Sequence, residues 1–259
     1  MVHNPATPGE PIPVVPSGVV VHQMPENLGY AGGMNAGMAK AKTSELLLLC
    51  TDDVRPRPGA VHRLLTLAAE PSVGLAGPRL VRPDDTLFSV GGTFNGRARL
   101  VEHRVDASVD AVTDVEWLDG ALLATTRSKV DEVGGFDDRF FLYQEDVEWS
   151  LRFRASGYRV VVDPGAVAVQ SPGGESRTAF YSYYAVRNGI FICRRHFGWG
   201  ITATRAVREL ARAVVRVVSA REAGSRTRIL RARWAGLRDG LLGRSGRGPR
   251  WLSPDTVGG

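Results

Sequence analysis

The chain has 259 residues, is 43% hydrophobic and carries a formal charge of +6, enough sequence for one large α/β domain and an appendage. No apolar run approaches the roughly 18 residues needed to cross a bilayer, and the opening residues do not read as a signal peptide. Cys50 and Cys193 are too few for a disulfide framework and sit in no metal-ligand spacing, so both read as buried thiols of a reducing cytoplasm.

The charge is unevenly placed. Residues 1–176 hold 16 Lys+Arg against 23 Asp+Glu, a net of −7, whereas residues 177–259 hold 17 Arg against 4 acids, a net of +13. A basic tail of this kind suits a nucleic-acid surface, anionic lipid headgroups or simply a solvated helix face. The nucleic-acid reading is the weakest, because no stacking aromatics are interleaved.

In chain order, Ser17–Gln23 predicts a short β-branched strand around Val19-Val20-Val21. Asn27 to Gly37 follows, with Gly29, Gly32, Gly33 and Gly37 allowing close backbone approach to a ligand, and a helix is expected over Gly33–Ala41. Gly-rich turns before a helix can hold phosphate on free amides, although an ordinary strand-to-helix turn looks similar. Leu46 to Cys50 is a continuous apolar run, as expected of a central parallel strand buried on both faces. It ends in Thr51-Asp52-Asp53. Carboxylates beyond the carboxyl end of a strand can hold a hard divalent cation bridging a diphosphate, or merely terminate the strand.

The spacing next predicts an amphipathic helix over Ala60–Ala69 and a strand over Val73–Pro78. Residues 81–116 read as strands and loops of an acceptor side. Val115–Leu118 enters Asp119-Gly120-Ala121, and Leu122–Arg127 reads as another strand. An aromatic run, Phe140 to Tyr143, then ends on Glu145-Asp146, where a helical pattern starts. Acids in a first helical turn are favoured by the unpaired amides and the dipole, which also keep a carboxylate ionised. Capping alone explains such a pair; an Asp146 facing a cleft would also be a proton acceptor. Downstream, Tyr158–Val162 predicts a strand closed by Pro164, and Ala166–Val169 another, ending in Gln170-Ser171.

These motifs stand in a recognisable order. Asn27-Leu28-Gly29-Tyr30-Ala31-Gly32-Gly33 and Asn35-Ala36-Gly37 precede Gly120-Ala121, Val133-Gly134-Gly135-Phe136-Asp137, the aromatic run, Glu145-Asp146, Arg152, Gly157-Tyr158, Pro164 and Ser176. Over roughly Val2 to Phe197 the chain resembles the family-2 glycosyltransferases, most of all the rhamnosyltransferase and galactofuranosyltransferase branch. The resemblance implies a GT-A fold, an α/β nucleotide-diphospho-sugar transferase with a Rossmann-like mixed sheet. It implies inverting transfer of a sugar from a nucleoside-diphosphate donor to a hydroxyl of a glycan or lipid-linked acceptor, in cell-envelope polysaccharide synthesis.

By the same resemblance Asp146 is the catalytic base, with Glu145 beside it. Asn27, Gly29, Gly33, Asn35, Asp52, Asp119 and Arg187 would bind the donor. Asp53, with Gln170 as a weak partner, would hold Mg²⁺ or Mn²⁺. Two departures stand out. Thr51 takes the place where the branch has Asn, and Gln170 the place of a His. At the start, His3, Ala6 and Pro8 replace two acids and a Ser, and only Asn4 matches. The family's first strand and helix would lie upstream of Met1, and a sheet without them exposes an unpaired edge. These departures keep open an alternative: a sugar-nucleotide-binding protein of this fold without turnover.

Tyr183-Tyr184-Ala185-Val186-Arg187-Asn188 matches a branch segment expected on a helix along the cleft. Farther on, Val207, Leu210, Ala211, Val214, Val217 and Val218 repeat at helical spacing, with Arg205, Arg208, Arg212 and Arg216 on another face. This is a basic amphipathic helix suited either to the cytoplasmic face of a membrane or to packing on the domain. Gly236, Gly240 and Gly243 are expected to interrupt a second helix. The resulting division is a glycosyltransferase domain over 1–197, a helical extension over 198–244 and a disordered tail over 245–259.

Overall fold

The computed structural model describes residues 1–5, 9–171, 179–218 and 224–252, with side chains 213–226 outside that description. Ala6 and Pro8, residues 173–176, the side chains of Val214, Arg216, Val217 and Val218, and the tail beyond 252 therefore lie outside it. The chain divides into two units, Met1–Thr93 with His103–Pro172, and Phe94–Glu102 with Gly173–Gly259.

The first unit is built on a mixed sheet. Its elements are β1 (Val2–His3), β2 (His22–Gln23), α1 (Gly29–Lys40), β3 (Leu46–Cys50), β4 (Val54–Pro56), α2 (Ala60–Ala69), β5 (Val73–Val81) and β6 (Leu87–Ser89). They continue with β7 (Gly92–Asn95), β8 (Leu100–His103), β9 (Thr113–Asp114), β10 (Leu122–Thr126), α3 (Arg127–Val133), α4 (Glu145–Ala155) and β11 (Arg159–Gln170). The main sheet has the order β3-β10-β5-β11-β4, with β6 on β5 and β9 on β11. β7 and β8 form a separate pair whose tip belongs to the second unit.

Alternation along the strands sends side chains to two apolar layers. Leu123, Val160 and Val162 meet Phe136, Trp149 and Phe153 on one face, while Leu122, Ala124 and Val161 meet Leu64 and Ala68 of α2 on the other.

Four sequence expectations change here. β3 is not central: it pairs only with β10, antiparallel, and Leu46 is exposed while Leu47 and Leu49 are buried. Val19 and Val20 are exposed, and pairing begins only at His22, where the chain runs parallel to β1. Pro164 does not end a strand. β11 runs through it because its pairing with β5 slips between Asp163 and Val167, an irregularity that absorbs a residue without an N–H. Val115–Leu118 supplies only the bridge between Trp117 and Gly92, and the regular strand lies just before it in β9.

The second unit holds α5 (Ala179–Ile192), α6 (Gly198–Val218) and α7 (Gly224–Leu241), with a π-helical turn at Cys193–Phe197 and a final turn at Arg250–Leu252. Gly236 and Gly240 do not break α7. A Cβ at Gly236 would lie 2.4 Å from the Tyr183 carbonyl oxygen, and one at Gly240 3.0 Å from that of Arg187, so both glycines let α5 and α7 touch. Within the stretch expected to be a disordered tail, Leu252 is buried and the Gly248 amide donates to the Tyr184 hydroxyl. α6 also packs by an unexpected face. Thr202, Arg205 and Glu209 are buried, with Arg205 and Arg233 both paired to Glu209, whereas Trp199 is 63% and Val207 65% exposed.

Candidate active site

The carboxyl end of β3 and the corner before β10 meet at Thr51. Its amide donates to the Ala121 carbonyl at 3.0 Å, and its hydroxyl donates to Asp53 at 2.5 Å. The Gln170 amide donates to the other Asp53 oxygen at 3.3 Å, and the Ser171 amide to the Asp53 carbonyl. The proposed metal pair is thus brought together from positions 117 residues apart. The Gln170 Oε1 atom is buried without a hydrogen-bond partner, and beside a carboxylate it offers a second hard oxygen. Asp52 is exposed. Among the described residues no group of three or more His, Cys, Asp or Glu could hold a metal, so a cation here would take its remaining ligands from substrate and water.

One residue from Ala121, the Gly120 amide donates to Asp146 Oδ2 at 2.8 Å, and Asp146 Oδ1 accepts from the Val147 amide at 2.8 Å. Asp146 stands in the first turn of α4, as its sequence position predicted. Burial foremost, and then the Asp119 charge, push its carboxyl up to about 6, against the pull of the two amides and of His103. Glu145 is different. It is 4% exposed, its Oε2 has no partner, and burial followed by the Asp146 charge raises it well above the usual carboxylate range. Of the two neighbours, Asp146 is the one whose carboxylate is held by backbone amides. The approach to α4 is strained, with Phe141, Tyr143 and Gln144 all at positive φ (63°, 66° and 67°). Arg152 holds this region by donating to the Val133 and Gly135 carbonyls at 2.8 and 2.6 Å while pairing with the fully buried Glu148.

Tyr30 joins the two acids. Its hydroxyl donates to the Gly120 carbonyl at 2.5 Å, and it is raised well above its ordinary value by burial and then by the charges of Asp146, Glu145, Cys50 and Asp53. Asp146, bonded to Gly120, and Asp53, bonded through Thr51 to Ala121, thus meet one strand corner, and the Tyr30 hydroxyl caps that corner at Gly120. Tyr30 also lines a cavity of about 980 Å³, together with Asn4, Gly29, Gly33, Thr51 and Asp52.

The expected phosphate loop is used otherwise. α1 starts at Gly29, four residues earlier than expected, because its first amides already have acceptors. The Leu28 amide donates to Asn4, that of Gly29 to Asn27, and that of Tyr30 to the Phe141 carbonyl. Gly29 has φ +71°, and a Cβ there would lie 2.1 Å from the Phe141 oxygen, so the close approach it permits is to the chain's own backbone. Asn35 spends both ends of its amide on the Phe136 backbone. Arg187 lies in the second unit, fully buried against the rings of Tyr183, Tyr184 and Phe191, and donates to the Gly246 carbonyl. Asp119 accepts from Ser89 at 2.6 Å and pairs with His103 at 2.7 Å. Neither Ser89 nor His103 was singled out by sequence, since nothing in their local spacing marks them.

A family model described as "Glycosyl transferase family group 2" matches residues 46–236. The chain belongs to that family. Relatives include an N-acetylglucosaminyl-diphospho-decaprenol L-rhamnosyltransferase of Mycobacterium tuberculosis, 27% identical over 76% of this chain and 74% of that protein. An O-antigen biosynthesis protein, RfbC, of Myxococcus xanthus is 32% identical over 49% of this chain, which spans 11% of its length. Two solved structures share the fold. GalNAc-T7 with UDP, GalNAc and Mn²⁺ has a TM-score of 0.54 at 13% identity, covering 86% of this chain and 44% of that one. The mannosyltransferase PcManGT of Pyrobaculum calidifontis with GDP-Man and Mn²⁺ has a TM-score of 0.51 at 15% identity, covering 87% and 70%. The chain is a family-2, rhamnosyltransferase-like glycosyltransferase of GT-A fold.

Proposed function

We propose that the protein transfers a sugar, with inversion, from a nucleoside-diphosphate donor to a hydroxyl of a lipid-linked or glycan acceptor in cell-envelope polysaccharide synthesis. The observation that carries this reading is the placement of Asp146 on Gly120 and of Asp53, through Thr51, on Ala121 at one strand corner. Asp146 takes the acceptor proton as that oxygen attacks the anomeric carbon, and its elevated carboxyl is matched to that task near neutral pH. The cavity beside Tyr30 receives the donor, with Asn4, Gly29, Gly33 and Asp52 along its wall. Asn27, Asn35 and Asp119 support that wall and the base through backbone hydrogen bonds and the Ser89–Asp119 contact.

Asp53 and the orphaned Gln170 oxygen would hold Mg²⁺ or Mn²⁺. Such a cation, when bound, stabilises the charge of the departing diphosphate. Chelation by EDTA is expected to abolish transfer and added Mn²⁺ to restore it; Asp53→Ala should lose turnover by at least about 10²-fold and no longer respond to Mn²⁺. Assayed with a panel of nucleoside-diphosphate sugars, persistence of full activity in EDTA would remove the metal from this reading.

His3 where the family has an acid, and Gln170 where it has a His, favour a second reading, a donor-binding protein without turnover. Donor binding without hydrolysis or transfer, in the presence of Mn²⁺, would select it.

The acceptor class and the outward face of α6 together point to work at the inner surface of a membrane. Trp199 and Val207 stand exposed near the exposed Arg208 and Arg212, as an interfacial helix requires, and no helix among the described residues is long and apolar enough to span a bilayer. The protein is expected to sediment with phosphatidylglycerol-containing vesicles and far less with phosphatidylcholine alone. Trp199→Ala with Val207→Asp should reduce that binding severalfold.

A further inference from the structure

Asp119 and Asp146 sit on either side of one glycine. Asp119 precedes Gly120 in the chain, and Asp146 accepts the Gly120 amide. The corner is tight, since a Cβ at Gly120 would lie 2.7 Å from the Tyr30 hydroxyl and 3.3 Å from the Asp146 Cβ. Two carboxylates at one such corner, partly out of water, resist being ionised together unless one is compensated. Asp119 is the one that is compensated. Its Oδ2 accepts from the Ser89 hydroxyl at 2.6 Å, and its Oδ1 is 2.7 Å from His103 Nε2. The imidazole itself is held in place by two rings, Phe88 and Trp117, each 5.0 Å away between centroids.

We propose that His103 is a positioning residue for the base: as an imidazolium on Asp119 it cancels that carboxylate's charge, leaving Asp146 free to stay ionised. The proposal rests on the reading of Asp146 as the proton acceptor and adds the group that sets its charge.

The surroundings agree in sign. Burial by itself would lower the His103 imidazole, yet its hydrogen bond to Asp119 and the charges of Asp119 and Asp146 raise it above its ordinary value of 6.5. His103 in turn pulls Asp146 down, against burial and Asp119. The groups acting on Asp146 are Asp119, His103, Glu145 and Tyr30; those acting on His103 are Asp119 and Asp146, while Arg82 stacks on the Phe88 ring 5.3 Å from its centroid. Removing His103 and removing the Asp119 charge should therefore act in opposite directions on the same carboxyl. A merely structural contact would not produce that pattern.

Carboxyl ¹³C titration of the full chain labelled at aspartate reads Asp146 directly, its resonance assigned by loss in Asp146→Asn. The midpoint is expected near 6 in the wild type. In His103→Gln it should rise by roughly half a unit or more, and in Asp119→Asn fall by a similar amount. The double variant should lie close to Asp119→Asn, because the imidazole then has no charge left to cancel. An unchanged midpoint in His103→Gln, or shifts of the same sign in both single variants, overturns the proposal. Should His103→Gln not fold, the ring protons of His103 in the wild type decide instead, assigned through contact with Trp117. A midpoint above 6.5 that drops in Asp119→Asn supports the pair, and one at or below 6.5 overturns it. Neither titration needs substrate. Failure of the base assignment is read separately, by Asp146→Asn turnover.

Discussion

Asp146→Asn is expected to lower transfer by about 10²–10⁴-fold, the usual worth of a positioned general base, while the chain stays folded. Asn preserves the shape and keeps one of the two amide hydrogen bonds through its carbonyl oxygen, its NH2 facing the other amide, so the loss is chiefly that of the proton acceptor. The pH profile carries the same information. With the carboxyl pushed up to about 6, wild-type kcat/KM should fall as pH drops through that value, because the protonated acid accepts nothing.

Stability should move the other way. A carboxyl raised in the folded state above its unfolded value of about 3.9 contributes stability that is complete below that value and lost as pH rises through about 6. Asp146→Asn removes that loss, so the variant should be the more stable one at pH 7–8, by about 1–2 kcal/mol after allowance for partial exposure. Thermal unfolding at pH 4 and pH 8 checks this: the advantage belongs to pH 8 alone. Near-normal turnover in a folded Asp146→Asn would show that another group takes the proton.

The second large effect lies behind the site. Arg152→Met should destabilise the protein by about 3–5 kcal/mol, since it removes the guanidinium that pairs with the fully buried Glu148 and donates to the Val133 and Gly135 carbonyls. Because those carbonyls begin the strained segment that leads into Asp146, activity should fall even below the unfolding transition. Urea unfolding measures the first effect. Adding Glu148→Gln to Arg152→Met should recover part of the loss, since no charge then stays buried. A cost under about 1 kcal/mol would mean that the pair is more hydrated than its 15% and 0% side-chain exposures imply.

The order of elements in the first unit was largely readable from the sequence. α2 and the start of α4 fall where the apolar spacing and the paired acids put them, because both signals are local. Positions that depend on a partner strand were not readable. Leu46 to Cys50 has the composition of a central strand yet lies at an edge, and Val19 and Val20 have strand propensity with nothing to pair against. α6 is the plainest case: Val207 belongs to its apolar repeat yet is exposed, while an Arg205–Glu209 pair joined by Arg233 of α7 is buried. Periodicity reports that a helix has two faces, not which one its neighbours accept.

The sequence by itself determined the family, and it put Asp53 just past a strand end and Asp146 at a helix start, since these follow from short-range spacing. Only the tertiary structure decided that the Leu28, Gly29 and Tyr30 amides are already occupied, that Glu145 is buried beside Asp146, and that His103 reaches Asp119 across a strand pair. Those facts depend on which groups remain within hydrogen-bond reach once the layers close. No local pattern of residues encodes that.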